Sequence, residues 1–219
     1  MKKYLILDFG KVLAYPATGD WFITPLFLEL IDMDKLKRED ILKAMNSHSD
    51  ILSRKAITLE EEYQLFYDFY KNTFLDLEYS VSEKIIKNLA NDFTYSDNKY
   101  GFYSDIYDEL EILKDKYTLL LLSDNWPCCG PIMEKRELSK YFDKIYISSV
   151  YGTKKSNGDF FDYLINDFNI KPGDAYFIDD NEELLDIAHG KGLDVRLMDR
   201  EEVVLSSKYE IIHNLRSFY

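Results

Sequence analysis

The sequence predicts an α/β fold: a doubly wound parallel-sheet, Rossmann-like core with an inserted helical cap domain. Three observations carry that prediction. Five short runs are almost continuously apolar: Tyr4–Leu7, Thr118–Leu122, Lys144–Ser148, Ala175–Ile178 and Asp194–Met198. Strands buried on both faces of a parallel sheet have that character. Helical periodicity alternates with the later runs, the signature of βα repeats. Between the first run and the second, about a hundred residues of helix-like sequence break the alternation, far more than a simple crossover needs.

Each element follows in order. After Tyr4–Leu7 the insertion carries four amphipathic stretches, Trp21–Ile31, Lys35–Met45, Thr58–Phe74 and Ser82–Phe93, with apolar residues three and four apart. Thr58-Leu59-Glu60-Glu61 is a capping-box sequence: the Thr hydroxyl can accept from a first-turn amide while Glu61 reaches back. These boundaries place the cap at residues 15–96 and the core at 1–14 and 97–219. In the core, Ser104–Lys116 lines up Ile106, Leu110 and Leu113 on one stripe. Asp159–Phe168 and Glu182–His189 read as further helices, the second stopped by Gly190 and Gly192.

Composition narrows the function. A chain of 219 residues fits one domain carrying an insertion, and can bury a core without staples. Nine Gly and five Pro, spread through the sequence, exclude collagen-like and low-complexity classes. The net charge of −13, from 27 basic and 40 acidic residues, opposes nucleic acid as a partner. It also repels small anions, so an anion site here needs a local cation or metal. Cys128 and Cys129 are adjacent and alone, which fits reduced, packed thiols and not a zinc cluster or disulfide framework. No apolar run approaches the ~18–20 residues of a membrane span. The apolar start after Met1-Lys2-Lys3 ends at Asp8, short of a signal-peptide core. The expectation is a cytoplasmic protein without a membrane partner; the sequence carries no signal for an oligomeric state.

Ligands of open parallel sheets bind beyond the carboxyl ends of the strands. The sequence there reads Asp8-Phe9-Gly10-Lys11-Val12-Leu13 after the first strand and Ser123-Asp124-Asn125 after the second. Gly152-Thr153-Lys154-Lys155 follows the third, and Asp179-Asp180-Asn181 ends the fourth. Carboxylates, a hydroxyl and a lysine therefore converge on one sheet edge. Hard oxygen donors in small number suit Mg²⁺, which keeps waters and shares phosphate oxygens.

With these residues in place the chain resembles the haloacid dehalogenase-like hydrolases, mostly phosphatases. The resemblance rests on Asp8 with Gly10-x-Val12-Leu13, Ser123, Tyr141-Phe142-Asp143, Gly152-x-x-Lys155 with Phe161, and Asp179-Asp180 with Ala188 and Gly192. It implies that Asp8 is the nucleophile, forming an aspartyl-phosphate. It implies that Ser123 hydrogen-bonds the phosphoryl group and that Lys155 neutralises nucleophile and phosphoryl oxygens. Lys154 competes for that role, and Gly152 with Phe161 favours Lys155. The implied Mg²⁺ ligands are Asp8, the Gly10 carbonyl, Asp180 directly, and Asp179 directly or through water.

Three departures matter. Ser156 stands where the family usually has proline, and Leu184 where it often has Asp or Asn. Gly10 replaces the second Asp that serves most of the family's phosphatases as general acid and base, a term of ~10²–10⁴-fold. A branch with Asp-x-Gly in place of Asp-x-Asp includes sugar 1-phosphate phosphatases, and this chain is similar to it. The implied function is Mg²⁺-dependent hydrolysis of a small phosphorylated metabolite, with leaving groups that need little protonation. Asp124 could supply a substitute acid. The alternatives are a metal-independent 2-haloacid dehalogenase, against which Asp179-Asp180 argues, and a non-catalytic binding member of the fold. Tyr15, Thr18, Asp20 and Trp21 are candidate substrate contacts near the cap entry, joined by Trp126 from the core side. His48, His189 and His213 are too scattered for a metal site.

Overall fold

The computed structural model describes residues 3–219; Met1 and Lys2, which the expected core boundary includes, lie outside the described residues. In chain order the strands are β1 (Tyr4–Leu7), β2 (Ala14–Pro16), β3 (Tyr100–Phe102), β4 (Thr118–Ser123), β5 (Lys144–Ile147), β6 (Ala175–Asp179), β7 (Asp194–Met198) and β8 (Ile211–Ile212). The helices are α1 (Pro25–Leu30), α2 (Arg38–Ser47), α3 (Leu59–Asp76), α4 (Glu83–Tyr95), α5 (Ile106–Leu113), α6 (Cys129–Lys135), α7 (Ser148–Tyr151), α8 (Asp159–Asp167) and α9 (Glu182–Gly190).

Two compact units divide the chain. The sheet unit holds the N-terminal strand through Tyr15, then Phe102–Asn125 and Cys129–Tyr219. Its six strands run in the order β5-β4-β1-β6-β7-β8, and every adjacent pair is parallel. Leu5, Ile6 and Leu7 of β1 and Leu119–Leu122 of β4 are fully buried, which is why these runs show no polar alternation. The order places the reversal of winding between β1 and β6, the point where a parallel sheet opens a crevice. Leu7 registers with Leu121 on one side and Ile178 on the other. The next residues along β1 and β6, Asp8 and Asp179, are thereby neighbours. The Asp8 amide donates to the Ile178 carbonyl at 3.0 Å, extending the ladder by one bond.

The helical unit comprises Pro16–Gly101 together with Trp126–Cys128. It is built on local signals. Thr24 caps α1 by accepting from the Phe27 amide, and Pro25 takes the first helical position, where its missing N–H costs nothing. That proline is why the helix starts at Pro25 and not at Trp21, as periodicity alone suggests. Thr58 and Glu61 form the expected capping box on α3, and Ser82 caps α4 through the Ile85 amide. An aromatic core closes the unit: Phe66 and Phe93 stack with centroids 3.6 Å apart, and Phe22, Phe69 and Tyr70 surround them.

The structure moves the expected boundaries. Residues 97–101 belong to the helical unit and not to the core, as do Trp126–Cys128. Trp126 packs edge-on against Phe66 at 5.1 Å and against Phe93 at 6.0 Å, so it is a core side chain of the helical unit and does not come from the core side. Ser148, expected to end β5, begins α7 instead. Its hydroxyl accepts from the Asn125 amide at 3.1 Å.

Candidate active site

The site grows from the C-terminal ends of β1 and β6. Asp8, Asp179 and Asp180 each offer a carboxylate oxygen, and these atoms lie within 4.8 Å of one another. Into this cluster the turn after α7 delivers Lys155, only 2% exposed. Its Nζ stands 2.8 Å from Asp8 Oδ1 and 2.6 Å from Asp179 Oδ2. Lys154, by contrast, is exposed. Asp124 Oδ1 accepts the Lys155 backbone N–H at 3.0 Å, so this carboxylate helps to hold the turn that carries the lysine.

Electrostatics follows from that packing. Burial lowers the Lys155 pKa, but Asp179, Asp8 and Asp124 outweigh it and hold the ammonium above the ordinary lysine range. Burial pushes the Asp179 carboxyl up, against the pull of Lys155, and the nearby Asp8 pushes the same way. Asp180 is raised by burial and by Asp8. Burial also raises Asp124.

The donor set fits a hard divalent cation. Asp179 is the most occupied carboxylate: Oδ2 faces Lys155, and Oδ1 accepts the Asn181 amide at 2.9 Å. Asp8 has one oxygen in the Lys155 pair, and among the described residues the side-chain partner of Asp180 is the Lys11 ammonium, at 3.5 Å. Spare lone pairs therefore remain on Asp8 and Asp180, the arrangement that suits Mg²⁺ with several waters.

The other expected residues are placed as follows. Ser123 is buried at the end of β4, two positions beyond the Leu121–Leu7 register pair, and stands outside the ion pairs. Gly10 does not use the left-handed region; the left-handed residue of this turn is Lys11, at φ 53°. Tyr15 packs on Tyr103 within the sheet unit, at 5.0 Å. In the helical unit Thr18 donates to the Ile23 carbonyl, Asp20 pairs with Arg38, and Trp21 packs against Tyr100 at 6.0 Å. Tyr15 is exposed, and Thr18, Asp20 and Trp21 are half-buried. The histidines are apart: His48 meets Asp76, His213 meets the Asp199 carbonyl, and His189 lies beside Tyr209.

Two residues escaped sequence reasoning. Lys11 is one. Arg200 is the other: its Nε and Nη2 donate to the Val12 carbonyl at 3.2 and 3.0 Å, while Nη1 donates to Asp105 at 2.7 Å. That guanidinium pins the turn carrying Asp8 and Gly10 from 188 residues away. No local motif signals such a bond.

A Rossmann-like α/β core with a buried lysine and three carboxylates at its switch point defines the class. A family model described as haloacid dehalogenase-like hydrolase matches residues 22–193, a span that starts after Asp8 and includes Lys155 and Asp179-Asp180. The chain belongs to the haloacid dehalogenase-like hydrolases. Among curated proteins it is similar to a D-ribitol-5-phosphate phosphatase of Bacteroides thetaiotaomicron, 29% identical over 105 residues, or 43% of this chain and 51% of that protein. The chain thus spans about half the length of the curated relative it matches. Among solved structures, a family enzyme from Bacteroides thetaiotaomicron has a TM-score of 0.66 at 21% identity, over 92% of this chain and 96% of that one. The same enzyme has been solved with magnesium and inorganic phosphate, where the TM-score is 0.61. The L-2-haloacid dehalogenase of Xanthobacter autotrophicus gives 0.68 at 14% identity, over 100% of this chain and 97% of that one. These structural likenesses speak for the fold.

Proposed function

We propose that this chain is a Mg²⁺-dependent phosphatase that hydrolyses a small phosphorylated metabolite through an aspartyl-phosphate on Asp8. The observation that carries this reading is the buried Lys155 ammonium shared by Asp8 and Asp179, with Asp180 alongside. The pair fixes Asp8 Oδ1 and leaves Oδ2 outside it, as an attacking oxygen requires. Attack forms the Oδ2–P bond and breaks the bond from phosphorus to the leaving oxygen, which takes up a proton. Water then attacks the same phosphorus, releasing inorganic phosphate and the Asp8 carboxylate. Lys155 offsets charge on the phosphoryl oxygens in a dry environment, where such an interaction counts most. Ser123 is read as a further hydrogen bond to them. Asp8, Asp180 and the Gly10 carbonyl would hold Mg²⁺, supported by Asp179. A bound Mg²⁺ would supply further neutralisation of phosphoryl charge. The helical unit is read as the cap that selects the substrate.

Gly10 shapes the substrate expectation. Without a carboxyl there, leaving oxygens that need little protonation are favoured, as in sugar 1-phosphates and aryl phosphates. The curated relative's named substrate is a polyol 5-phosphate, an alkyl ester, so both classes belong in the screen. The fold shared with an L-2-haloacid dehalogenase supports a second reading, carbon–halogen hydrolysis on the same Asp8. Metal dependence separates the two.

The test is release of chromophore from an aryl phosphate, with Mg²⁺ and with chelator, using Asp8→Asn as control. Hydrolysis that requires both Mg²⁺ and Asp8 is expected, with sugar 1-phosphates and polyol phosphates compared next. Turnover by Asp8→Asn equal to wild type would sink the nucleophile assignment. Metal-independent halide release from a 2-haloacid would move the chain to the second reading.

A further inference from the structure

Lys11 is an anomaly in the turn that follows β1. An L residue in the left-handed region is strained, and such strain persists only where surrounding bonds over-determine it. They do so here. The Lys11 amide donates to the Ala14 carbonyl at 2.6 Å, and Leu13 and Ala14 both donate to Phe9 at 2.9 and 3.0 Å. Arg200 holds the Val12 carbonyl from the other side. A glycine would sit in this turn unstrained. The lysine instead brings an ammonium to 3.5 Å from Asp180 Oδ2, the carboxylate of the cluster that Lys155 does not bind.

The two lysines of the site are not equivalent. Lys155 is buried and locked between two carboxylates at 2.6 and 2.8 Å. The Lys11 side chain is 50% exposed, and its pair with Asp180 is long. Such a pair is weak and cheap to exchange. Charge balance indicates what the exchange is for. Asp8, Asp124, Asp179 and Asp180 oppose two ammonium groups, which leaves the site negative and hostile to a phosphate. A divalent cation brings that balance to neutrality only while Lys11 remains; without Lys11 the loaded site still repels an anion.

Building on the phosphatase reading above, we propose that Lys11 is an exchangeable counter-cation. It pairs with Asp180 when no metal is bound, yields that carboxylate to the divalent metal, and then pairs with the anionic group of the incoming substrate. Lys11 is thus a determinant of affinity for metal and for phosphate, with opposite signs.

The experiment uses the full chain and two probes, magnesium chloride and inorganic phosphate, each titrated calorimetrically. Lys11→Met removes the charge, Lys11→Gly removes charge and backbone strain together, and Lys11→Arg keeps the charge. The expected result is Mg²⁺ binding about three- to tenfold tighter in the Met and Gly variants, from loss of like-charge repulsion at a partly exposed site. Phosphate binding at saturating Mg²⁺ is expected to weaken by about the same factor, with Lys11→Arg near wild type in both titrations. Unchanged Mg²⁺ affinity in both charge-removing variants, or undiminished phosphate binding, overturns the inference while leaving the phosphatase reading intact. A wild-type chain that takes up no Mg²⁺, or an Asp180→Asn variant that binds it equally well, overturns the metal reading and the inference with it.

Discussion

Among the described residues each unit buries one lysine, and the two are satisfied by opposite means. In the sheet unit Lys155 lies between two carboxylates, with a third holding its backbone. In the helical unit Lys99 is 3% exposed and, among the described residues, forms no ion pair with a carboxylate. Its Nζ donates to the Phe93 carbonyl and to the Cys128 thiol at 3.2 Å, and it stands 3.9 Å from the Phe93 ring centroid. Nearby Glu62 is fully buried, with Oε2 accepting the Cys128 amide at 2.7 Å and Oε1 left without a hydrogen bond. Burial raises the Glu62 carboxyl to about 7, although Lys99 pulls the other way. The Cys128 thiol is pushed up to about 12, again by burial first. The contrast shows what surplus charge means. Around Lys155 acidic groups outnumber basic ones, so the cluster has lone pairs to offer a ligand. Around Lys99 the ammonium is taken up by a backbone carbonyl, a thiol and a ring, and the Glu62–Cys128 bond anchors the segment Trp126–Cys128 to α3.

Removing the first lysine should have the largest effect. Lys155→Met strands two buried carboxylates, and breaking a buried pair costs ~3–5 kcal/mol. Phosphate-ester hydrolysis should fall to background, and urea unfolding should show the stability loss. Near-wild-type stability in that variant would mean that the cluster does not depend on its cation.

Glu62 gives the next effect, and its sign is opposite to that of an ion-paired acid. Its pKa is raised from 4.5 to about 7 in the folded chain. The folded state therefore binds more protons than the unfolded one between those values. Stability should decline as pH rises through that window, by up to about 3 kcal/mol, and level off above it. Urea midpoints for wild type and Glu62→Gln at pH 4.5, 6 and 8 measure this. Glu62→Gln should flatten the decline, and an equal slope in both proteins would remove Glu62 as its source.

The smallest effect is expected at Lys99. At pH 5.5, where Glu62 is mostly protonated, Lys99→Met replaces a buried cation by an apolar chain facing rings, a change often near neutral. A shift within about 1 kcal/mol is expected. A loss as large as that of Lys155→Met would erase the distinction between the two clusters.

Much of this was legible beforehand, for identifiable reasons. β1 and β7 fall at Tyr4–Leu7 and Asp194–Met198 as the apolar runs suggest: Leu5, Ile6 and Leu7 are fully buried, and Val195, Leu197 and Met198 are buried while Asp194 and Arg196 are half-buried. The α3 start at Leu59 follows from a capping box written in four consecutive residues. Asp8 and Asp179 could be singled out because each ends such a run, and in a parallel sheet all strand ends reach one edge. Periodicity alone starts α1 too early; Pro25 at its first position sets the start.

Sequence alone determined the five main strands, the long helices, the alternation of strand and helix, and which residues stand at the strand ends, but not β2, β3, β8, α6 or α7. These depend on burial periodicity and caps, interactions that span a few residues. Tertiary structure alone decided that Lys155 is buried while Lys154 is exposed, and that Trp126–Cys128 belongs with the helices. It also decided that Lys11 takes the left-handed conformation beside Asp180, in a turn braced by Arg200. Those outcomes are set by partners far along the chain, whose hydrogen bonds and charges exist only once the strands have found their register.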